Sequence, residues 1–426
     1  MKNKKKTDLR SGAKAAAEKP ISNIDKNDKA VILARMHEIK KYKDDISSTQ
    51  NTIGYTQMFR DGVCQIDDHR FSKTIQFFDT NYQLAEFEEQ NGIFSKYCDL
   101  INYFDNTVTF QLTFENQNRS QDGLVKQIQI PAQEDDFNEI RAEYSEMLTS
   151  KLLSGKNGQS CRKFLTFTIE ASSYKQAKPK LLNIQTEIIK MFKGFNVEAK
   201  VLSGKERLET LYYSLNPFQS ATFVFDWNEM LKAGWNTKDF IAPSSMKFNK
   251  ANFEIGASFG AINGMNILAG ELPDTILSDF LELQHLFCVN LHVTPLDQIT
   301  ALKFVKTKLT AVESMKIDEQ KKASKAGYDP DILPPAIKMY ITDLEKLLDD
   351  LNSKNERLFH ISITIRNYAK NKKDLGLQLE LLKRICQKNN CTLMPCDYLQ
   401  EDYLSSSLPL GVNKIQVSRE MHTSGI

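Results

Sequence analysis

The chain has 426 residues, of which 41% are hydrophobic and 26% are charged, a composition typical of a soluble globular protein of two to three domains. Its 56 basic and 54 acidic residues leave a formal net charge of +2, so it lacks the basic excess typical of a nucleic-acid-binding domain. No stretch has the roughly 20 apolar residues that a membrane-spanning helix requires, and seven scattered cysteines do not favour a disulfide framework.

The first 50 residues form a polar leader that begins with a cluster of lysines. No apolar core follows the lysines, so the leader is not a secretory signal. We expect a disordered basic leader. An alternative is that Lys2, Lys4, Lys5 and Lys6 contact an anionic membrane surface, at roughly 1 kcal/mol for each lysine close to the lipid.

Residues 53–215 are predicted to form a first α+β subdomain. Alternation of apolar and polar residues predicts strands, and apolar residues every three to four positions predict helices. The predicted strands lie within 62–78, with a turn at 67–69, and at 108–114, 124–130, 163–169 and 197–202. The predicted helices lie at 84–104, 134–153, 174–192 and 205–215.

Residues 216–285 are predicted to be a connecting region, with a strand and turn in the glycine-rich stretch 256–270 and a helix at 274–283. From 286 to 426 a similar order of elements returns as a second α+β subdomain. Its predicted strands lie at 288–293, 357–365 and 391–395, and its helices at 296–326, 336–351, 375–388 and 399–406.

The predicted fold class is α+β, with two ferredoxin-like or related α/β layered subdomains. The strands at 164–169 and 359–365 occupy corresponding positions, which is consistent with a duplication. The helix pair within 296–351 is then a long helical hairpin inserted in the second subdomain.

The sequence lacks a phosphate-binding loop, which requires Gly, four residues and then Gly-Lys-Ser/Thr. Gly-Lys pairs occur at 155–156 and 204–205, but Asn157 and Glu206 follow them, and neither has the upstream glycine. We therefore expect no ATP hydrolysis by this chain itself.

Other candidate chemistry is weak. Cys288 and His292 could act as a nucleophile and a base, but no third, orienting residue is evident, and ordinary packing is the favoured interpretation. Cys386, Cys391 and Cys396 are evenly spaced, but their intervals differ from those of zinc sites and no histidine lies nearby. We expect buried small hydrophobic residues there, and neither catalytic nor metal-binding residues in the chain.

The most specific residues lie near the end of the sequence. Leu-Leu-Asp-Asp-Leu-Asn-Ser-Lys-Asn-Glu-Arg-Leu-Phe at 347–359 is followed by Ser-Ser-Ser-Leu-Pro-Leu-Gly-Val-Asn at 405–413 and Arg-Glu-Met-His-Thr-Ser at 419–424. This succession resembles the region before the motor in VirB-four-like ATPases of conjugative type IV secretion, in the form carried by integrative elements of Gram-positive bacteria. Stretches 53–61, 71–87 and 242–245 are similar to the same region. Residues 256–270 depart from it, because the family usually has an aromatic and basic strand there.

The resemblance implies an assembly and docking domain for conjugative DNA transfer, cytoplasmic and peripheral at the membrane. The implied partners are inner-membrane channel subunits and neighbouring copies of the chain, so self-association is expected. ATP and Mg²⁺ are implied only for a C-terminal RecA-like motor. The chain stops at Ile426, before that motor would begin, so we expect the motor in a longer protein or a separate P-loop subunit.

The resemblance also implies a hinge or docking role for residues 405–413, the alternative being a surface loop that packs on its own sheet. The residues concerned are Ser405, Ser406, Leu408, Pro409, Leu410, Gly411 and Asn413. The alternative to the whole assignment is a stand-alone nucleic-acid-binding or protein-binding α+β module, although the net charge does not favour direct nucleic-acid binding.

Overall fold

The computed structural model describes residues 48–80, 82, 85–118, 130, 137–154, 159–219, 221–268, 276–281, 283, 285–329, 333–353, 356–415 and 417–426. Residues 1–51 and residues 52–426 form two separate compact parts, and the fold described below is that of residues 52–426. The leader with Lys2, Lys4, Lys5 and Lys6, and the strand predicted at 124–130 except for its last residue, lie outside the described residues.

The described strands include those predicted within 62–78 and at 108–114, 163–169, 197–202, 288–293, 357–365 and 391–395, whereas the strands at 57–58, 246–248, 253–255 and 419–422 were not predicted. The described strands are β1 Gln57–Met58, β2 Cys64–Gln65, β3 Arg70–Phe77, β4 Val108–Asn118, β5 Gln159–Glu170, β6 Ala199–Val201, β7 Met246–Phe248, β8 Phe253–Ile255, β9 Ser258–Ile267, β10 Leu286–Pro295, β11 Leu358–Ala369, β12 Cys391–Pro395 and β13 Arg419–His422.

The predicted helices are present within a few residues at each end, whereas the helices at 49–52, 227–233 and 237–241 were not predicted. The described helices are α1 Thr49–Thr52, α2 Phe87–Tyr103, α3 Asn138–Ser154, α4 Tyr174–Gly194, α5 Gly204–Leu215, α6 Trp227–Ala233, α7 Thr237–Ile241, α8 Ile276–Leu281, α9 Gln298–Lys325, α10 Pro335–Ser353, α11 Lys372–Lys388 and α12 Gln400–Ser406, with a final 3₁₀ turn at Thr423–Gly425.

Two ferredoxin-like units form one antiparallel sheet. The first runs β3-α2-β4-β5-α4-β6 with the strand order β6-β3-β5-β4. The second runs β9-α8-β10-β11-α11-β12 with the strand order β10-β11-β9-β12. Their second strands, β4 and β10, pair with each other and set Leu112 opposite Leu291. The predicted fold class of two ferredoxin-like subdomains is confirmed.

Each unit carries its insertion at the same point, between its second and third strands. In the first unit this stretch contains α3, and in the second it contains the antiparallel pair α9 and α10, which is the predicted long hairpin. The predicted counterparts, β5 and β11, are both third strands.

The second unit begins earlier than its alternating pattern indicates. Its first strand, β9, lies within the predicted connecting region, where glycines interrupt the alternation. Gly260 is required there, because a Cβ atom would approach the ring of Phe253 to 2.3 Å.

The core lies between one face of the sheet and the helices α2, α4, α8 and α11. Alternate strand residues point into this layer because side chains alternate between the faces of a sheet. The strand residues in it include Phe71, Ile75, Phe110, Leu112, Leu165, Phe167, Phe287, Val289, Ile361 and Ile363. Helix residues that pack on them include Leu100, Leu181, Ile188, Phe280, Leu382 and Cys386.

Candidate functional site

The face of the sheet opposite these helices is buried but polar. The intervening strand residues supply hydroxyl, amide, imidazole and charged groups. They are Ser72 and Thr74 on β3, Gln111, Thr113 and Glu115 on β4, Thr166 and Thr168 on β5, Asn290 and His292 on β10, and Thr364 and Arg366 on β11. Burying polar groups costs free energy unless they form hydrogen bonds, so the element that covers this face must offer partners.

That element is the 405–413 segment, which leaves the last turn of α12 and crosses the polar face. Residues 405–408, Leu410 and Val412 are almost completely buried, whereas Asn413 is exposed. The segment does pack on its own sheet, as one of the two interpretations holds, but as a buried layer rather than a surface loop.

The backbone of the segment is held by side chains from the middle of the sheet. Gln111 Nε2 donates to the carbonyl oxygens of Ser406 at 3.2 Å and Leu408 at 3.0 Å. Gln111 Oε1 accepts from the amide of Gly411 at 3.0 Å. His292 Nε2 also donates to Ser406 O, at 2.8 Å. Buried irregular backbone needs such partners because it has no regular ladder of its own.

The later part of the segment is held by β3 and β5. Ser72 Oγ donates to Leu410 O at 2.6 Å, and Thr168 Oγ1 donates to Gly411 O at 3.3 Å. Gly411 has a φ of +78°, and a Cβ atom there would lie 2.1 Å from Thr168 Oγ1. Only glycine fits this close approach to the sheet.

Arg207 on α5 is fully buried beside the segment. Its Nη1 donates to Gly62 O at 2.9 Å and Ser72 O at 3.0 Å, and its Nη2 donates to Pro409 O at 3.2 Å. Burial lowers the pKa of Arg207 below its ordinary value, but the carbonyl oxygens accept hydrogen bonds from the charged form. The guanidinium group thereby joins α5, β3 and the segment.

Arg366 and Glu115 form a buried ion pair between the two ferredoxin-like units. Arg366 Nη1 also donates to Ser407 Oγ at 2.9 Å. The carboxylate of Glu115 accepts from Ser214 Oγ on α5 at 2.7 Å, and Tyr368 donates to the carbonyl of Ser214 at 2.9 Å. This network joins β4, β11, α5 and the segment.

Cys288 and His292 lie on this same face but are not arranged for nucleophilic chemistry. Burial raises the pKa of the Cys288 thiol to about 12, whereas a nucleophilic cysteine has a lowered pKa. Burial also lowers the pKa of His292 to about 4, and its Nε2 is occupied by Ser406 O. Both residues serve in packing and in holding the segment.

Sequence reasoning identified the 405–413 segment but not the residues that hold it. Gln111 lay at an ordinary polar position of the predicted strand 108–114. Glu115 and Arg366 lay one residue beyond the predicted strands 108–114 and 357–365, and Arg207 lay within the predicted helix 205–215. The available signal was the run of polar residues at alternate positions, such as Asn290 and His292 between Val289, Leu291 and Val293. A sheet with one solvated face shows the same pattern.

Comparisons with known proteins do not assign the chain to a family. No protein-family model matches the chain, and no curated protein matches it significantly. Among the residues that the structure describes, no group of three or more histidine, cysteine, aspartate or glutamate side chains is placed to hold a metal ion. None of the helices in the described ranges combines the length and apolar character needed to cross a membrane.

Proposed function

We propose that this chain is the assembly and docking part of a VirB-four-like conjugative ATPase, peripheral at the cytoplasmic face of the membrane. It binds inner-membrane channel subunits and neighbouring copies of itself, and ATP hydrolysis belongs to a motor domain or subunit with its own phosphate-binding loop.

The observation that carries the proposal is the attachment of the 405–413 segment to both ferredoxin-like units. Gln111 and Ser72 hold it from the first unit, and His292 and Arg366 hold it from the second. Force applied to the segment therefore reaches both units at once. This geometry supports a rigid anchor that transmits motor movement, and it argues against flexing within the segment, because the segment is buried and hydrogen-bonded along its length.

Co-purification with the polytopic channel subunit in detergent tests the proposal. We expect the purified full chain, with its fold checked by circular dichroism, to retain the channel subunit. A folded chain that fails to retain it would overturn the docking role.

The proposal also expects the chain alone to hydrolyse ATP only at the background rate. Steady-state phosphate release measures this. Turnover well above background that is lost on a single substitution within the sheet would show that the chain is itself an ATPase.

A further inference from the structure

The inserted hairpin of α9 and α10 forms an arm that the other described residues cover only at its base. Ala301, Val305 and Leu351 are buried there against Leu358 of β11. Within 306–329 and 333–350, by contrast, no residue is buried. With 28 residues in α9, the arm is about 40 Å long.

The two helices contact each other through a heptad stripe, as in an antiparallel coiled coil. The stripe consists of buried or partly buried residues at alternating intervals of three and four. On α9 these are Leu302, Val305, Leu309, Val312, Lys316, Glu319 and Ala323, and on α10 they are Ile337, Ile341, Leu344, Leu348 and Leu351.

One side of the arm, which we call the apolar side, is formed by residues that immediately precede a stripe residue. In a right-handed helix, the residue before a stripe residue always lies on the same side of the stripe. Because α9 and α10 are antiparallel and face each other, these residues of both helices lie on one side of the arm. On α9 they are Ala301, Phe304, Lys308, Ala311, Met315, Asp318 and Lys322, and on α10 they are Ala336, Tyr340, Asp343, Leu347 and Asp350. Phe304 and Leu347 also pack against the base cluster. Met315 is 59% exposed and Tyr340 is 56% exposed.

The opposite side of the arm, formed by residues that follow a stripe residue, is much more polar. It includes Lys303, Lys306, Thr310 and Glu313 on α9, and Lys338, Thr342, Glu345 and Asp349 on α10, with Ile317 as its large apolar residue. Among the residues that flank the stripe, the apolar ones are therefore concentrated on one side of the arm, as expected for an interaction surface. Met339, which is 57% exposed, lies away from the stripe on the outer face of α10.

The charges on the apolar side are complementary between the two helices. Lys308 lies on α9 and Asp343 on α10, and the other charged residues of this side, Asp318, Lys322 and Asp350, lie nearer the two ends of the arm. Leu302 and Leu351 both belong to the base cluster, so counting along the antiparallel helices sets Lys308 near the level of Asp343, and Met315 near the level of Tyr340. A two-fold axis parallel to the arm places α9 of each copy against α10 of the other copy at the same level. Lys308 of each copy then lies opposite Asp343 of the other, which gives two such contacts.

We propose that the apolar side of the arm binds the same side of a second copy of this chain, giving a four-helix bundle. Met315 packs on Tyr340 of the second copy, and Lys308 pairs with Asp343 of the second copy. The inference takes its biological meaning from the proposed assembly role, which calls for contacts between neighbouring copies.

Sedimentation equilibrium of the purified chain over a range of concentrations tests this surface. We expect the wild-type chain to dimerise, and the double variant Met315→Asp/Tyr340→Asp to self-associate at least tenfold more weakly. Ile317→Asp, on the opposite side of the arm, is the matched control and should leave association unchanged. Circular dichroism confirms the fold, since all three side chains are exposed.

Charge reversal tests the pairing directly. Lys308→Glu and Asp343→Lys should each weaken self-association, because each brings two like charges together. A mixture of the two single variants should regain it. In the mixed dimer the carboxylate introduced in one chain meets the ammonium group introduced in the other, and at the second contact Lys308 again meets Asp343.

A wild-type chain that is monomeric at every concentration, a double variant that associates like wild type, or a mixture that fails to regain association would each overturn the arm contact. The channel co-purification is an independent measurement. A monomeric chain that still retains the channel subunit would remove only the arm contact, whereas a dimeric chain that fails to retain it would remove the docking role.

Discussion

The two buried arginines of the polar face are compensated in different ways. Arg207 is surrounded by carbonyl oxygens of Gly62, Ser72 and Pro409, whereas Arg366 has the carboxylate of Glu115. A buried ion pair is costly to desolvate, and the larger penalty comes when one partner is removed and the other stays charged. The pair therefore fixes how the two ferredoxin-like units meet more than it adds net stability.

A double-mutant cycle tests this interpretation of Arg366 and Glu115. We expect Glu115→Gln and Arg366→Met each to lower the free energy of unfolding by about 3 kcal/mol, because each leaves a buried partner unsatisfied. The double variant should lose clearly less than the sum of the two. Glu187→Gln removes the exposed pair with Lys190 on α4 and, as a control, should cost less than about 1 kcal/mol. Additive losses in urea unfolding would contradict the coupling.

His292 gives the protein a pH-dependent stability. Its pKa is about 4 in the folded chain and about 6.5 in an unfolded chain, because burial disfavours the charged imidazole. The unfolded state therefore binds the proton first, and stability falls as pH drops from about 6.5 towards 4. Between pH 7 and pH 5 this residue should account for a loss of about 2 kcal/mol.

The matched variant for this pH effect is His292→Gln, whose amide can still donate to Ser406 O but does not titrate. Unfolding free energies of both proteins at pH 7 and pH 5 check the expectation. The variant should lose about 2 kcal/mol less than the wild type over this range. An identical pH dependence in the two proteins would show that His292 is not the group responsible.

At the scale of elements, the 405–413 segment shares the cover of the polar face with α5. Its binding depends on a close approach that Gly411 permits. Pro409 suits the same irregular path, because it lacks an amide hydrogen and presents its carbonyl oxygen to Arg207. The segment is thus bound through its backbone by side chains far away in the sequence, and through Leu408, Leu410 and Val412, which pack in a hydrophobic cluster with residues of α5.

Gly411→Ala should detach or distort this segment. The left-handed backbone costs an alanine about 1 kcal/mol, and the clash with Thr168 Oγ1 adds to that cost. Gly234→Ala is a suitable control, because Gly234 also has a positive φ, of 67°, but a Cβ atom there meets nothing within 4 Å. We expect a clearly larger loss of unfolding free energy for Gly411→Ala. Equal losses would mean that only backbone strain matters at both sites.

The elements were largely predictable from the sequence, whereas the buried face of the site was not. Strong alternation fixed β4, β5, β10 and β11, and their order agreed with two ferredoxin-like units. The start of the second unit differed, because Gly260 and Gly264 interrupt the pattern of β9. The hydrogen bonds from Gln111 to the segment join residues about 300 positions apart, and local periodicity carries no information at that separation.

At the scale of residues 52–426 as a whole, the shared sheet makes the two ferredoxin-like units, the two halves of this part, interdependent. β4 and β10 are each the edge strand of their own half, and each would expose an unpaired backbone without the other, which favours aggregation. The 405–413 segment and the pair of Glu115 with Arg366 cross the same boundary on the polar face. Neither half is therefore expected to be stable alone.

Residues 52–426 should consequently unfold in one cooperative transition. Native-state hydrogen exchange resolves this, because the amides of β5 in the first half and β11 in the second should report the same opening free energy at low denaturant. Fluorescence of the chain's two tryptophans, Trp227 and Trp235, should follow the same urea transition as far-UV circular dichroism. If the opening free energy of the β11 amides were several kcal/mol lower than that of the β5 amides, the two halves would unfold separately. The segment could then not couple them rigidly.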